Sequence, residues 1–244
     1  MTAATGVSLS FVALLDVLGY KNRLEEDQST GTYTFKETLE RAFHNCPSVN
    51  EADFPFFAIS DTIIISSVNR EHFKNYLEIL KEIQLAFLKE GIFIRGGVSY
   101  GHHFKSGNIT YSPAIARANE IEKNAAQNPR IVIDYNIIDL LQSLDQFDEI
   151  CSSGLLCESN HICFLNIISS DNWKNIYECA KKMYDYEKGN VESSIRNGKR
   201  DIIFQNQAIF SKHIWFQNYL FASSYRDSSV QPYISGINFF ESTH

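Results

Sequence analysis

The order of apolar runs in this 244-residue chain predicts an α+β fold, a mostly antiparallel sheet with helices packed on one face and a C-terminal helical extension. Three observations predict it. Short β-branched runs alternate with helical patterns in the order strand, helix, hairpin, helix, strand, helix, strand, which is a split βαβ arrangement. A hydrophobic share of 44% supplies one sizeable core. Two aspartates, Asp16 and Asp61, leave apolar strand-like runs where a carboxylate costs folding energy unless something cationic meets it.

Leu9–Leu15 is a buried strand by its unbroken apolar run, and Gly19 to about Leu24 opens a helix, with a polar loop from Glu25 to Tyr33. Phe35–His44 has helical spacing, ended by Cys46-Pro47-Ser48-Val49-Asn50. Phe54–Ile59 and Thr62–Val68 flank Ser60-Asp61 as a tight hairpin. Phe73–Glu90 is an amphipathic helix stopped by Gly91. Ile92–Gly101 is a strand whose Gly96-Gly97 pair signals close backbone approach. Ser112–Asn124 is a helix with Pro113 in its first turn; Asn128-Pro129 breaks it before the strand Arg130–Ile133. Further on, Leu155-Leu156-Cys157 and Ile162–Leu165 pair as strands. Trp173–Tyr186 and Phe204–Ser223 are helical, separated by the polar segment Glu187–Arg200. Residues 1–150 form the core domain in this reading, and residues 151–244 a β-hairpin and helical extension packed on it.

Twenty-two basic against 29 acidic residues leave a net charge of -7, which argues against broad binding to nucleic acid or anionic membrane. The five cysteines, Cys46, Cys151, Cys157, Cys163 and Cys179, show no paired spacing for zinc or redox chemistry and read as reduced core thiols. Met1–Gly6 has no basic leader character, and Asp16 interrupts the first apolar run before it reaches transmembrane length. The expectation is a soluble, cytoplasmic protein.

Two carboxylates on neighbouring strands, near a helix start that can hold phosphate, suit two divalent metals and a nucleoside triphosphate. Each also has an ordinary use, Asp16 as an N-cap and Asp61 as a turn residue. Arg117 alone fits a solvated helix position. Arg95, in an otherwise apolar strand, either pairs with a core carboxylate or faces substrate, and we read it as structural. His102-His103 with His161 or His213 lacks ligand spacing for zinc. Phe57 fits the core as well as a ligand pocket, and Trp215 reads as packing.

Asp16-Val17-Leu18-Gly19-Tyr20 resembles the opening of class III nucleotidyl cyclase catalytic domains, which have a ferredoxin-like fold. Asp61 falls where that family keeps its second metal aspartate, with Ser60 in place of the usual glycine. Ser112-Pro113-Ala114-Ile115-Ala116-Arg117-Ala118 supplies the family's arginine as Arg117, whereas Pro113 replaces its transition-state asparagine. That helix, with Ala118 to Glu122, resembles the pyrimidine cyclases of bacterial Pycsar antiphage systems, as does Ser211–Tyr219. The core resemblance spans roughly residues 9–134.

The resemblance implies two Mg²⁺ or Mn²⁺ ions on Asp16, Asp61 and the Val17 carbonyl, phosphate on the amides of Leu18, Gly19 and Tyr20, and Arg117 as the catalytic arginine. Phe57 stands where purine cyclases often place a polar base selector, which favours a pyrimidine, and the family's habits put UTP ahead of CTP. The implied enzyme is a phosphorus–oxygen lyase making cyclic UMP, a head-to-tail homodimer with sites at the interface. Its product would act on a separate effector protein during phage infection. A cytidylate cyclase making cyclic CMP and a degenerate nucleotide-binding sensor are the alternatives; a palm-type polymerase would need a basic template channel that the charge disfavours.

Overall fold

The computed structural model describes residues 8–50, 52–68, 72–106, 109–198 and 201–234. Met1–Gly6, read above for a leader, and the end of the polar segment at Lys199 and Arg200 lie outside them. The chain divides into two compact units, Met1–Ile167 and Ile168–His244.

In the first unit the elements are β1 (Ser8–Val17), α1 (Tyr20–Thr30), α2 (Thr34–His44), β2 (Phe56–Ile59), β3 (Thr62–Ser67), α3 (Phe73–Lys89), β4 (Ile94–Ser106), β5 (Ile109–Tyr111), α4 (Pro113–Asn124), β6 (Ile131–Ile133), α5 (Tyr135–Ser143), α6 (Phe147–Ser152), β7 (Leu156–Ser159) and β8 (Ile162–Leu165). The sheet runs β2-β3-β1-β4-β6-β8-β7, with β5 on β4. Among the described residues, β4 and β6 pair in parallel and the other strand pairs are antiparallel. Because β3 separates β1 from β2, the first four sheet strands form the split βαβ order that the sequence predicts.

β1 is central and buried from Ser10 to Leu15, which is why its sequence reads as an unbroken apolar run. One side of it meets α3: Phe11 stacks against Phe73 and Tyr76 at centroid distances of 4.4 and 6.2 Å. Tyr76 is fully buried and donates to the Ile65 carbonyl at 2.7 Å. The other side meets α4. Gly97, the cross-strand partner of Leu14, faces that helix so closely that a Cβ there would fall 2.4 Å from the Ala118 carbonyl and 2.8 Å from Ile121. Ser99 Oγ donates to the Ala114 carbonyl at 2.7 Å. Helices therefore cover both faces, not the single face that element order suggested: alternate residues of β4 serve opposite helices.

Other details differ from the sequence reading. α1 continues through the expected loop to Thr30, because the buried Asp27 accepts the amides of Phe35 and Lys36 at 3.0 Å each and caps the start of α2. The 156–165 hairpin, expected in the extension, joins the sheet through Val132 and Phe164. The cysteines are not core: Cys151 is exposed and the other four are half-buried, all as free thiols. Burial still pushes Cys46 up to about 11 and Cys157 up to about 12, so neither is a thiolate near neutral pH.

The second unit contains α7 (Trp173–Arg196), α8 (Ile202–Gln205) and α9 (Gln207–Ala222). α7 extends through most of the expected polar break, and α8 and α9 divide one expected helix. Trp173 Nε1 donates to the Leu220 carbonyl at 2.9 Å and the indole stacks on Tyr177. Trp215 stacks on Tyr219, so this aromatic segment does pack. Among the described residues no helix is long and apolar enough to cross a membrane.

The close seating of α4 has a direct test. Gly97→Ala should lower the unfolding free energy by about 1–3 kcal/mol in urea denaturation, the usual cost of overpacking. Gly101→Ala, whose Cβ would meet Ala114 at an ordinary 3.6 Å, should change it far less.

Candidate active site

Asp16 lies one residue from the end of β1, paired across the sheet with Thr62 on β3 and Arg95 on β4. Since Ile59 pairs with Thr62, Ile59, Thr62, Asp16 and Arg95 form one cross-strand row on the α4 face. Phe57 and Ile64 belong to the next row on that face. α4 covers the β4 side of this face but leaves the β2 side open: Phe57 is 46% and Ile59 60% exposed. Asp16 thus sits where a covered face becomes an open apolar one, and Phe57 is on the open part.

Asp61 occupies the two-residue turn between β2 and β3. Its carbonyl accepts the Val17 amide at 2.9 Å, which fastens the turn beside the end of β1 and brings the two aspartates together. Ser60 adopts a left-handed φ of 56°, the conformation for which the family's glycine is suited. The half-buried Asp61 side chain accepts the Thr62 hydroxyl at 3.5 Å.

Of the three amides expected to hold phosphate, the structure leaves two. Leu18 N–H donates to the Phe93 carbonyl at 2.9 Å, because the β1–β4 ladder runs one residue past the strand end. Gly19, left-handed at φ 79°, is the N-cap of α1, and the helix begins at Tyr20 without a side-chain cap. The amides at Gly19 and Tyr20 are therefore placed for an anion at a helix start.

The cation beside Asp16 within the chain is Arg95. Its Nε donates to Asp16 Oδ2 at 3.0 Å, and its Nη2 lies 2.6 Å from Glu122 Oε1. Glu122, on α4, is 3% exposed. Burial pushes its carboxyl above the ordinary glutamate range; Arg95 opposes the shift, and the charges of Asp16 and Asp61 add to it. Arg95 thus pairs with two carboxylates, Asp16 and Glu122, and the Asp61 charge also reaches Glu122, with Lys123 opposing it. Sequence reasoning missed Glu122 as part of the site. The signal was its helical spacing from Ala118 on the face that meets the glycines of β4.

Arg117, in contrast, is held within its own chain. Its Nε and Nη2 donate to the two oxygens of Asp134, both at 2.8 Å, and Nη1 donates to Glu120 at 2.9 Å. These bonds, Asp134 first, raise its pKa further, so it remains a guanidinium cation at every working pH. Asp134 is 5% exposed at the start of α5. Arg95 and Arg117 divide two tasks that the sequence left with Arg117 alone: one meets Asp16, the other is presented at the surface on a buried carboxylate.

The donors fit divalent Mg²⁺ or Mn²⁺. Both aspartates offer hard carboxylate oxygen, and among the described residues no donor meets Asp16 Oδ1. Among those residues no group of three or more His, Cys, Asp or Glu forms a closed metal cage. The histidines do not gather: His103 Nδ1 is 2.8 Å from the N-cap hydroxyl of Ser112, and His161 is exposed.

No family model matches the chain, and no curated protein matches its sequence. Solved structures resemble it. The catalytic core of a rhodopsin-guanylyl cyclase with converted specificity, solved with ATPαS, has 13% identity and a TM-score of 0.44, covering 68% of this chain and 99% of that one. The guanylate cyclase domain from Catenaria anguillulae, solved with GTP, has 10% identity and a TM-score of 0.43 over 65% and 96%. A dimeric guanylyl cyclase domain from the aquatic fungus Blastocladiella emersonii has 11% identity and a TM-score of 0.42 over 66% and 96%. Likeness at this level carries no argument about activity, so the fold stands here on strand order and the functional reading on the residues.

The Arg117–Asp134 pair is open to a stability test. Arg117→Ala should lower the unfolding free energy by about 1–2 kcal/mol, less than for a fully buried pair because Arg117 is 46% exposed. A double-mutant cycle with Asp134→Asn, followed by urea denaturation, should show clear non-additivity.

Proposed function

We propose that the chain is a nucleotidyl cyclase of the class III type, converting UTP to 3′,5′-cyclic UMP and pyrophosphate. The observation that supports this reading is the Val17 amide to Asp61 carbonyl bond, which fastens the turn bearing Asp61 beside the strand end that bears Asp16, next to the exposed Phe57 and Ile59. The bound Mg²⁺ or Mn²⁺ pair would activate the ribose 3′-hydroxyl and neutralise the triphosphate. Asp16, Asp61 and the Val17 carbonyl hold those ions, and the Gly19 and Tyr20 amides receive phosphate. The exposed face around Phe57 and Ile59 receives the base and a second copy of the chain. Phe57 offers an aromatic surface without the hydrogen bond of a polar purine selector, which favours a pyrimidine.

Arg117 acts from the partner copy in this reading. Three of its five N–H donors are fixed on Asp134 and Glu120, and the remaining two, one on Nη1 and one on Nη2, would stabilise charge on the α-phosphate as pyrophosphate leaves. The cyclic nucleotide would signal to a separate effector protein in antiphage defence. A cytidylate cyclase making cyclic CMP is the nearest alternative. A nucleotide-binding sensor without turnover is favoured by one feature, Pro113 in place of the family's asparagine at the first position of α4.

Purified protein incubated with each of the four nucleoside triphosphates and Mn²⁺ should yield cyclic UMP as the main product by mass spectrometry. Asp16→Asn and Asp61→Asn should each lower the rate by roughly 100-fold or more, the scale of losing a main electrostatic group. Mixing Asp61→Asn with Arg117→Ala should restore part of the activity, since one interface site then keeps both groups. Absence of any cyclic product overturns the cyclase, and cyclic CMP or a cyclic purine as main product overturns only the choice of UTP.

A further inference from the structure

The Arg95–Glu122 pair has a place in the proposed chemistry that a stability role does not explain. Arg95 uses separate nitrogens for two carboxylates, Nε for Asp16 Oδ2 and Nη2 for Glu122 Oε1. Glu122 cannot move far: it is 3% exposed, on a helix seated directly against Gly97. A buried ion pair is a weak device for stability, because desolvation offsets most of the attraction. This one ends on a carboxylate at the open face, and it grips one oxygen of that carboxylate only.

We propose that Arg95, anchored by Glu122, is the positioning residue for Asp16: it fixes Oδ2 and turns Oδ1 toward the divalent cation. This rests on the two-metal reading above. A guanidinium suits the task because its planar fork aims Nε–H at Asp16 Oδ2 while Nη2 stays in ion-pair contact with Glu122, a division that the flexible point charge of lysine does not hold. Carboxylates that bind metal are generally held by such outer partners, and losing one weakens metal binding about 10–100-fold. The order of support runs from small residues on β4, through α4 and Glu122, to Arg95 and then Asp16. Neither Arg95 nor Glu122 needs to touch the metal.

The test is Mn²⁺ binding to the full chain without nucleotide, with free Mn²⁺ read by electron paramagnetic resonance and folding followed by thermal melting. Asp16→Asn defines the signal that belongs to this site. Arg95→Lys keeps the charge and loses the fork; the double variant Arg95→Met with Glu122→Met removes both charges at similar volume and should stay folded. Both should weaken the Asp16-dependent Mn²⁺ binding about 10-fold or more, with kcat falling at Mn²⁺ concentrations that saturate the wild type. Wild-type affinity in the folded double variant overturns the proposal and leaves the cyclase reading intact, and tighter binding there overturns it by making Arg95 a mere opposing cation. If the double variant does not fold, Arg95→Lys decides by the same measure. Mn²⁺ binding that Asp16→Asn leaves unchanged removes the two-metal reading itself, and this proposal with it.

Discussion

α4 can lie on the sheet only because β4 offers it Gly97, Ser99 and Gly101 in alternation. Any larger side chain at 97 would strike the Ala118 carbonyl and Ile121. This close seating lets a helix otherwise joined to the sheet by small residues carry Glu122 to the end of β1. From there the charges follow in order: Glu122 meets Arg95, and Arg95 meets Asp16. The apolar core on the opposite side, built by Phe11, Phe73 and Tyr76, gives β1 the rigidity to hold that end in place.

The electrostatics of the site follow from its position at the limit of that cover. Two carboxylates pair with Arg95, a surplus of negative charge to which Asp61 adds, and the more buried of the two, Glu122, is pushed by its burial toward its neutral form. In water such a surplus would simply be solvated; at the border of a covered face it is a standing attraction for a multivalent cation. The aspartates alone supply few ligands, which leaves coordination positions for phosphate oxygens. The exposed apolar surface at Phe57 and Ile59 beside them is the kind of area a base or a partner chain covers. Arg117 is held on Asp134, and in the proposed reading it serves a site in another copy.

Much of the fold was legible because its local signals agree with its packing. The run 9–15 reads as a strand since both its faces are buried, and α4 starts where Ser112 and Pro113 say it should, the Ser112 hydroxyl accepting the Ile115 amide at 3.0 Å. What was not legible depends on contacts distant in sequence. Asp27 lies in a polar stretch that reads as loop and becomes helical because its carboxylate is consumed by α2. The 156–165 hairpin reads equally as an appendage or a sheet edge until β8 meets β6. In the site, Asp16 and Asp61 stood out as charges at strand ends. The Leu18 amide was unreadable because it is spent on Phe93, and the part played by Glu122 required knowing which face of α4 meets β4.

The most direct measurement is a crystal structure of the chain with Mn²⁺ and a non-cyclisable UTP analogue, with manganese located by anomalous scattering. The account predicts two manganese peaks bridging Asp16 and Asp61 to the triphosphate, Asp16 coordinating through Oδ1 while Arg95 keeps Oδ2. Manganese bound elsewhere, or nucleotide bound with no metal on either aspartate, would contradict it.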